Sequence, residues 1–161
     1  MNDKIHQFTL SVYTEDKPGV LFRMSNLFSK RKININSLTV SESEKHGYAR
    51  FTLTISTTED KAKLICKQIT KIIEVSQAMY YKNSHMFFKE LAVFKVEVYS
   101  DQAKAFAKLV DQFEAHIEDK VGNVYFLSLT GSETDIDKFK QSLKDYKLLE
   151  FVRSGRIAIT K

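Results

Sequence analysis

FTLSVYTEDKPGVLFRMSNLF, residues 8–28, holds the only proline of a 161-residue chain, and its reading decides the fold. Phe8, Leu10 and Val12 alternate with Thr9, Ser11 and Tyr13, the period of a half-buried strand. Val20, Leu21, Met24, Leu27 and Phe28 then recur at the spacing of one helical face. The junction between them is Glu15-Asp16-Lys17-Pro18-Gly19-Val20-Leu21. Pro18 fixes φ and gives up an N–H that a first helical turn leaves unpaired. Asp16 is placed to cap a helix beginning at Pro18, and Gly19 admits close approach of backbone or ligand. Such a loop exposes helix N-terminal amides, whose partial positive charge suits a carboxylate. A capped helix start with no ligand would carry the same residues.

Outward from this stretch the same order of elements runs twice. Ile33 to Val40 reads as a strand whose apolar phase slips from odd to even positions, which period-2 geometry allows only with a bulge or twist near Asn36-Ser37, or if the strand proper begins there. Phe51, Leu53 and Ile55 alternate cleanly, and Thr57 or Thr58 caps a helix with the stripe Ala62, Ile65, Cys66, Ile69, Ile72 and Ile73. Val75 to Tyr80 closes a β-α-β-β-α-β unit. In the second half Leu91 to Tyr99 reads as a strand, and Ala103, Phe106, Ala107, Val110 and Phe113 as a helical stripe. A hairpin turns at Gly122-Asn123, a helix begins near Thr134, and Leu148 to Val152 is the last strand, with 153–161 as a tail. The fold class is α+β: two tandem ferredoxin-like βαββαβ units, over 1–80 and 91–161, joined by a linker at 81–90. Each unit leaves one sheet face open, and apolar side chains there invite pairing with another copy. Only the first unit has the Pro-Gly loop; the equivalent place in the second reads Tyr99-Ser100-Asp101-Gln102-Ala103.

Composition narrows the function. Hydrophobic residues make up 43% of the chain, and no apolar run approaches the ~20 residues of a membrane span. Met1-Asn2-Asp3-Lys4 leads directly into strand-like sequence, without the look of a targeting peptide. The single cysteine, Cys66, excludes an internal disulfide and fits a reducing compartment, so the expected location is cytoplasmic. The net charge of +5 falls entirely in residues 1–83, with 13 Lys and Arg against 8 Asp and Glu; residues 84–161 carry 12 of each. The run Lys30-Arg31-Lys32 closes a helix, where cations complement the dipole.

No catalytic constellation is present in the sequence. His6, His46, His85 and His116 show no metal-ligand spacing, and there is no nucleophile elbow, phosphate loop or dinucleotide fingerprint. A four-stranded sheet with exposed aromatics would suit RNA. The strand Tyr48-Ala49-Arg50-Phe51-Thr52-Leu53 does not match the aromatic pattern of that module, and most rings fall on core stripes. Neither a metal nor nucleic acid is therefore expected as a ligand.

The Asp16-x-Pro18-Gly19-x-Leu21 loop resembles that of ACT domains, which bind amino acids or serve as regulatory dimerisation units. Three runs make the resemblance specific: Gly19-Val20-Leu21-Phe22-Arg23, Leu27-Phe28-Ser29-Lys30-Arg31 and Asn34-Ile35-Asn36-Ser37-Leu38-Thr39-Val40. With Glu90-Leu91-Ala92-Val93-Phe94-Lys95-Val96 and Val152-Arg153-Ser154-Gly155, they are similar to the regulatory small subunits of acetolactate synthase along the whole chain. The resemblance implies a non-catalytic subunit in branched-chain amino acid biosynthesis. Its partner would be a large subunit carrying thiamine diphosphate, Mg²⁺ and often FAD, which it activates and subjects to feedback inhibition by valine or a related amino acid. It also implies a homodimer through the ACT domains. The effector would lie between Asp16, Lys17, Pro18, Gly19, Val20 and Leu21 of one copy and Asn34, Ile35 and Asn36 of the other. A stand-alone small-molecule sensor of the ACT type, and an RNA-binding tandem module, are the alternatives.

Overall fold

The computed structural model describes residues 4–161; residues 1–3, read above as leading into the first strand, lie outside the described residues. The alternation that opens the chain becomes β1 (His6–Glu15), which lies between β3 (Tyr48–Thr57) and β4 (Val75–Lys82). With β2 (Ile35–Glu42) the sheet has the order β2-β3-β1-β4, antiparallel throughout. Its register sets Phe8 opposite Ile55, Leu10 opposite Leu53 and Val12 opposite Phe51, so their side chains share one face. Two helices, α1 (Val20–Lys30) and α2 (Glu59–Ile69), cover that face through Val20, Met24 and Phe28 and through Ala62, Ile65 and Ile69. Each of the larger side chains among them, fully buried, stabilises the unit by roughly 1.5–3 kcal/mol.

Of the readings open for the phase slip the structure has an irregularity inside the strand: the β2–β3 register shifts between Ile35 and Ser37. Thr58 caps α2, its hydroxyl accepting from the Lys61 amide. The helix stops at Ile69, four residues short of the stripe read from sequence. The chain must turn there to enter β4, with the Val75 amide donating to the Ile72 carbonyl, and Ile73 is left 96% exposed. Cys66 is a core residue whose thiol burial pushes up to about 12, far from a reactive thiolate.

The second face of this sheet differs from the expected apolar surface. Thr9, Ser11, Thr52 and Thr54 line it, and all four are buried. Strand β1 is therefore buried on both faces over residues 8–12, not half-buried. The chain's own C-terminal residues contribute to the cover. Arg156, 1% exposed, donates from Nη1 to Thr9 Oγ1 and Asn83 Oδ1, both at 2.8 Å, and from Nη2 to Gln7 Oε1 at 3.0 Å. Its guanidinium stands 3.9 Å from the ring centre of Phe88. Nearby, Arg50 Nη2 donates to the Ala158 carbonyl at 2.6 Å.

Residues 81–90, a linker by composition, finish β4, form one 3-10 turn at Asn83–His85 and begin β5 (Met86–Glu97). The tail contains a further strand, β9 (Ile157–Thr160), which pairs with β5, and the Lys161 amide donates to the His85 carbonyl at 3.2 Å. The chain divides into two compact units, the residues up to Phe88 together with Arg156–Lys161, and Lys89–Gly155. Arg156–Lys161 thus fall with the first unit, whereas the sequence reading ran its second unit on to 161.

The second unit repeats the pattern with α3 (Ala103–Gln112), β6 (His116–Val121), β7 (Val124–Gly131), α4 (Glu133–Ser142) and β8 (Lys147–Arg153), its strands ordered β6-β7-β5-β8. Its core is aromatic: Phe94 meets Phe139 edge-on at 5.0 Å, and Phe106 lies 5.0 Å from both Tyr125 and Tyr146. Ser132 and Asp135 form a capping box at the start of α4, and the Ser132 hydrogen bonds hold the Asp135 carboxyl below its usual range.

Arg156→Ala is expected to lower the stability of the full chain by about 2–3 kcal/mol, because Thr9 Oγ1 and Asn83 Oδ1 lose the guanidinium as donor, while Gln7 Oε1 still accepts from Asn83 Nδ2. Arg156→Lys cannot fork across three acceptors and should recover only part of the loss. Urea unfolding midpoints of the three chains measure both effects.

Candidate functional site

The loop after β1 is a turn followed by a helix, and the turn comes later than the sequence suggested. Gly19 has φ 86° and ψ −8°, the geometry of the third residue of a type II turn behind a proline. This left-handed conformation is one that glycine adopts without a Cβ penalty. Gly19, not Asp16, is the N-cap: its carbonyl accepts the first helical bond from the Arg23 amide at 3.1 Å, and α1 begins at Val20 instead of Pro18. Asp16 lies three residues too early to cap. Its own amide donates to the Gly47 carbonyl at 2.9 Å, pinning the loop to the β2–β3 turn.

The consequence is a helix N-terminus with no side-chain cap among the described residues, whereas Thr58 and Ser132 cap α2 and α4. The first-turn amides of α1 are left to solvent or to a ligand. The nearby cations are already engaged: Lys17 pairs with Glu15 at 2.5 Å and Arg23 with Glu74 at 2.6 Å. The Lys17–Glu15 hydrogen bond raises the lysine's pKa. Arg23 and Glu74 were not singled out from sequence, because the pair forms only when the end of the α2–β4 turn folds beside the loop; the Glu15 amide donates to the Glu74 carbonyl at 2.8 Å.

The remaining expected residues divide by burial. Asp16, Lys17, Pro18, Gly19 and Leu21 are exposed, while the Val20 side chain is buried in the core, so only its backbone faces outward. Asn34 is exposed, Ile35 packs partly against the core, and Asn36 donates to Ser56 Oγ at 2.8 Å.

Within one copy these two groups do not meet. The loop leaves β1 at Glu15, opposite Tyr48, whereas Ile35 pairs with Ile55, seven residues further along β3. At ~3.3 Å per residue the groups are on the order of 20 Å apart, at opposite ends of the sheet. Among the described residues no cluster of His, Cys, Asp and Glu could hold a metal ion, and no helix is long and apolar enough to cross a membrane. On β1 and β3 the sheet face away from the helices carries Thr9, Ser11, Thr52 and Thr54, followed toward the Glu15 end by Tyr13, whose ring lies 5.3 Å from the Arg50 guanidinium, and by Tyr48.

Known proteins with the same pattern agree on a family. Residues 10–77 match the model of the AHAS small subunit-like ACT domain, and residues 89–161 match that of the small subunit of acetolactate synthase. An acetolactate synthase small subunit from Mycobacterium bovis is 31% identical over 161 residues, covering 100% of this chain and 95% of its own length. One from Mycolicibacterium smegmatis is 31% identical over 153 residues, covering 95% of this chain and 90% of the relative. The crystal structure of an acetolactate synthase small subunit from Thermotoga maritima superposes with a TM-score of 0.89 at 28% identity, over 97% of this chain and 98% of that one. The chain belongs to the acetolactate synthase small subunits, with an ACT domain as its first unit.

Proposed function

We propose that this chain is a non-catalytic regulatory subunit that activates the acetolactate synthase large subunit and subjects it to feedback inhibition by valine or a related branched-chain amino acid. The cofactors of the reaction, thiamine diphosphate, Mg²⁺ and FAD, belong in this reading to the large subunit. The observation that carries the proposal is the separation of the Pro18-Gly19 turn from Asn34-Asn36 along one sheet. β2 is an edge strand, so two copies can pair there. Antiparallel pairing of β2 with its counterpart sets the Ile35 end of one copy beside the Glu42 end of the other. The loop lies at that Glu42 end, because Ala49 and Tyr48, opposite Glu42 and Glu15, adjoin in β3. Two sites then form per dimer, each with the loop of one copy and Asn34-Ile35-Asn36 of the other. Leu21, Phe22 and Val40, large apolar side chains exposed toward this end, supply surface for the pairing.

The chemistry of such a site fits a free amino acid. The uncapped amides following Gly19 would hold an α-carboxylate, the Asn34 side chain offers donor and acceptor, and Leu21 and Ile35 would border an aliphatic side chain. Bound effector would stabilise one pairing of ACT domains over another, and its influence on the large subunit is limited to its differential affinity for the two.

Thermal unfolding of the purified chain should respond to one of valine, leucine or isoleucine. At 100 times its dissociation constant a ligand adds ~2.7 kcal/mol to the native state, a clear rise in melting temperature. No rise with any of the three would remove effector binding by the isolated chain. Gly19→Asp in the holoenzyme is expected to abolish feedback inhibition while the chain still folds. A Cβ at Gly19 would meet only Arg23 Nη1, at 3.5 Å, and aspartate tolerates the left-handed region better than most residues. Unchanged inhibition of that holoenzyme would overturn the site.

A further inference from the structure

The edges of the two sheets are finished differently. In the second unit, edge strand β6 carries Glu118, Asp119 and Lys120 at its centre, and β8 carries Lys147, Glu150 and Arg153 along its length. Such charges discourage a further strand from adding. In the first unit, β2 and β4 have no proline, and their only charges are the terminal Glu42 and Lys82. Edge β2 is accounted for by a second copy; β4 is not.

Beside β4 runs a groove of about 350 Å³, between the strand and α2. Cys66, Ala78, Met79 and Tyr80 make it apolar, and the ionisable groups with charged side chains along it are Lys63 and Lys67 alone. Those two lysines are i,i+4 neighbours on α2, both exposed, and neither takes part in a salt bridge among the described residues. The surface therefore offers unpaired backbone along β4, an apolar slot, and a cationic rim with no carboxylate lining it.

We propose that β4 and this groove receive an extended segment of the large subunit, which adds as a further strand, seats an apolar side chain between Cys66 and Tyr80, and sets carboxylates against Lys63 and Lys67. Strand addition supplies the affinity through main-chain hydrogen bonds, and the groove supplies the selectivity. The proposal rests on the family's partnership with a large subunit. It is independent of the effector site, since β2 and β4 are opposite edges of the sheet.

Hydrogen exchange of the full chain, alone and in complex with the large subunit, tests the edge directly. Amides of residues 75–82 should exchange at least about tenfold more slowly in the complex. In parallel, the double variant Lys63→Glu/Lys67→Glu should bind the large subunit about tenfold more weakly at low salt, and the gap from wild type should narrow as salt screens the rim. Both positions are exposed, but the reversal sets like charges at i,i+4 beside Glu59 and an anion in the last turn of α2. The neutral variant Lys63→Gln/Lys67→Gln, whose unfolding midpoint should stay close to wild type, therefore serves as the folded control and should weaken binding in the same direction. Binding of the large subunit with unchanged exchange at 75–82 and an unaffected variant overturns the groove and leaves the family partnership standing. Failure of the wild-type chain to bind the large subunit overturns both. Protection at 75–82 that appears in the isolated chain with rising concentration overturns the proposal in favour of a second copy at β4.

Discussion

Strand β1 has no wet face over residues 8–12, and the first unit is organised around that fact. On one side Phe8, Leu10 and Val12 meet the apolar stripes of α1 and α2. On the other, Thr9 and Ser11 are buried as well, with Thr9 bonded to Arg156. A sheet buried on one face only could be built by residues up to 82. One buried on both needs a cover, and at Thr9 the chain's far end contributes to it through Arg156. Small hydroxyl side chains suit the position, since they leave room for a guanidinium and offer it acceptors. Burying an arginine is costly unless its donors find acceptors, and the amide oxygens of Gln7 and Asn83 join the Thr9 hydroxyl as acceptors for its two terminal nitrogens.

The parts of the fold written in local periodicity could be read directly. Period-2 alternation located β1 and β3, helical stripes located the four helices, and the phase slip at Asn36-Ser37 located an irregularity that the register shows. What escaped the reading depends on partners distant in sequence. Nothing near Arg156 announces that it will fold against Gln7 and Thr9, and a polar stretch such as 81–85 looks like a linker until its strand partners are known. The extent of α2 was overread for a related reason: Ile72 and Ile73 continue the helical phase, but tertiary geometry turns the chain first. The alternating hydroxyls of β1 read as solvent-facing because polarity marks exposure only when nothing polar arrives to cover it.

The loop illustrates a finer limit. Sequence located it and its chemistry, yet assigned the cap to Asp16, because aspartate is a favoured capping residue and proline a favoured first helical residue. The structure uses the other strong preference of Pro-Gly, a type II turn, and so moves the helix start to Val20. That displacement leaves the first amides without an internal acceptor. A carboxylate capping from Asp16 would have occupied the positions an external anion needs; the late start keeps them open.

The path of the chain carries one more implication, for how the first unit could exist by itself. Its strands do not end where the second unit begins: the chain leaves at Phe88 and returns at Arg156, and these two side chains touch. The second unit is thus topologically an insertion, entering and leaving through neighbouring residues. A minimal first unit made by stopping at Phe88 would discard its own buried arginine. Joining Phe88 to Arg156 through a short turn would keep that arginine and β9, and would excise the rest as a single closed loop.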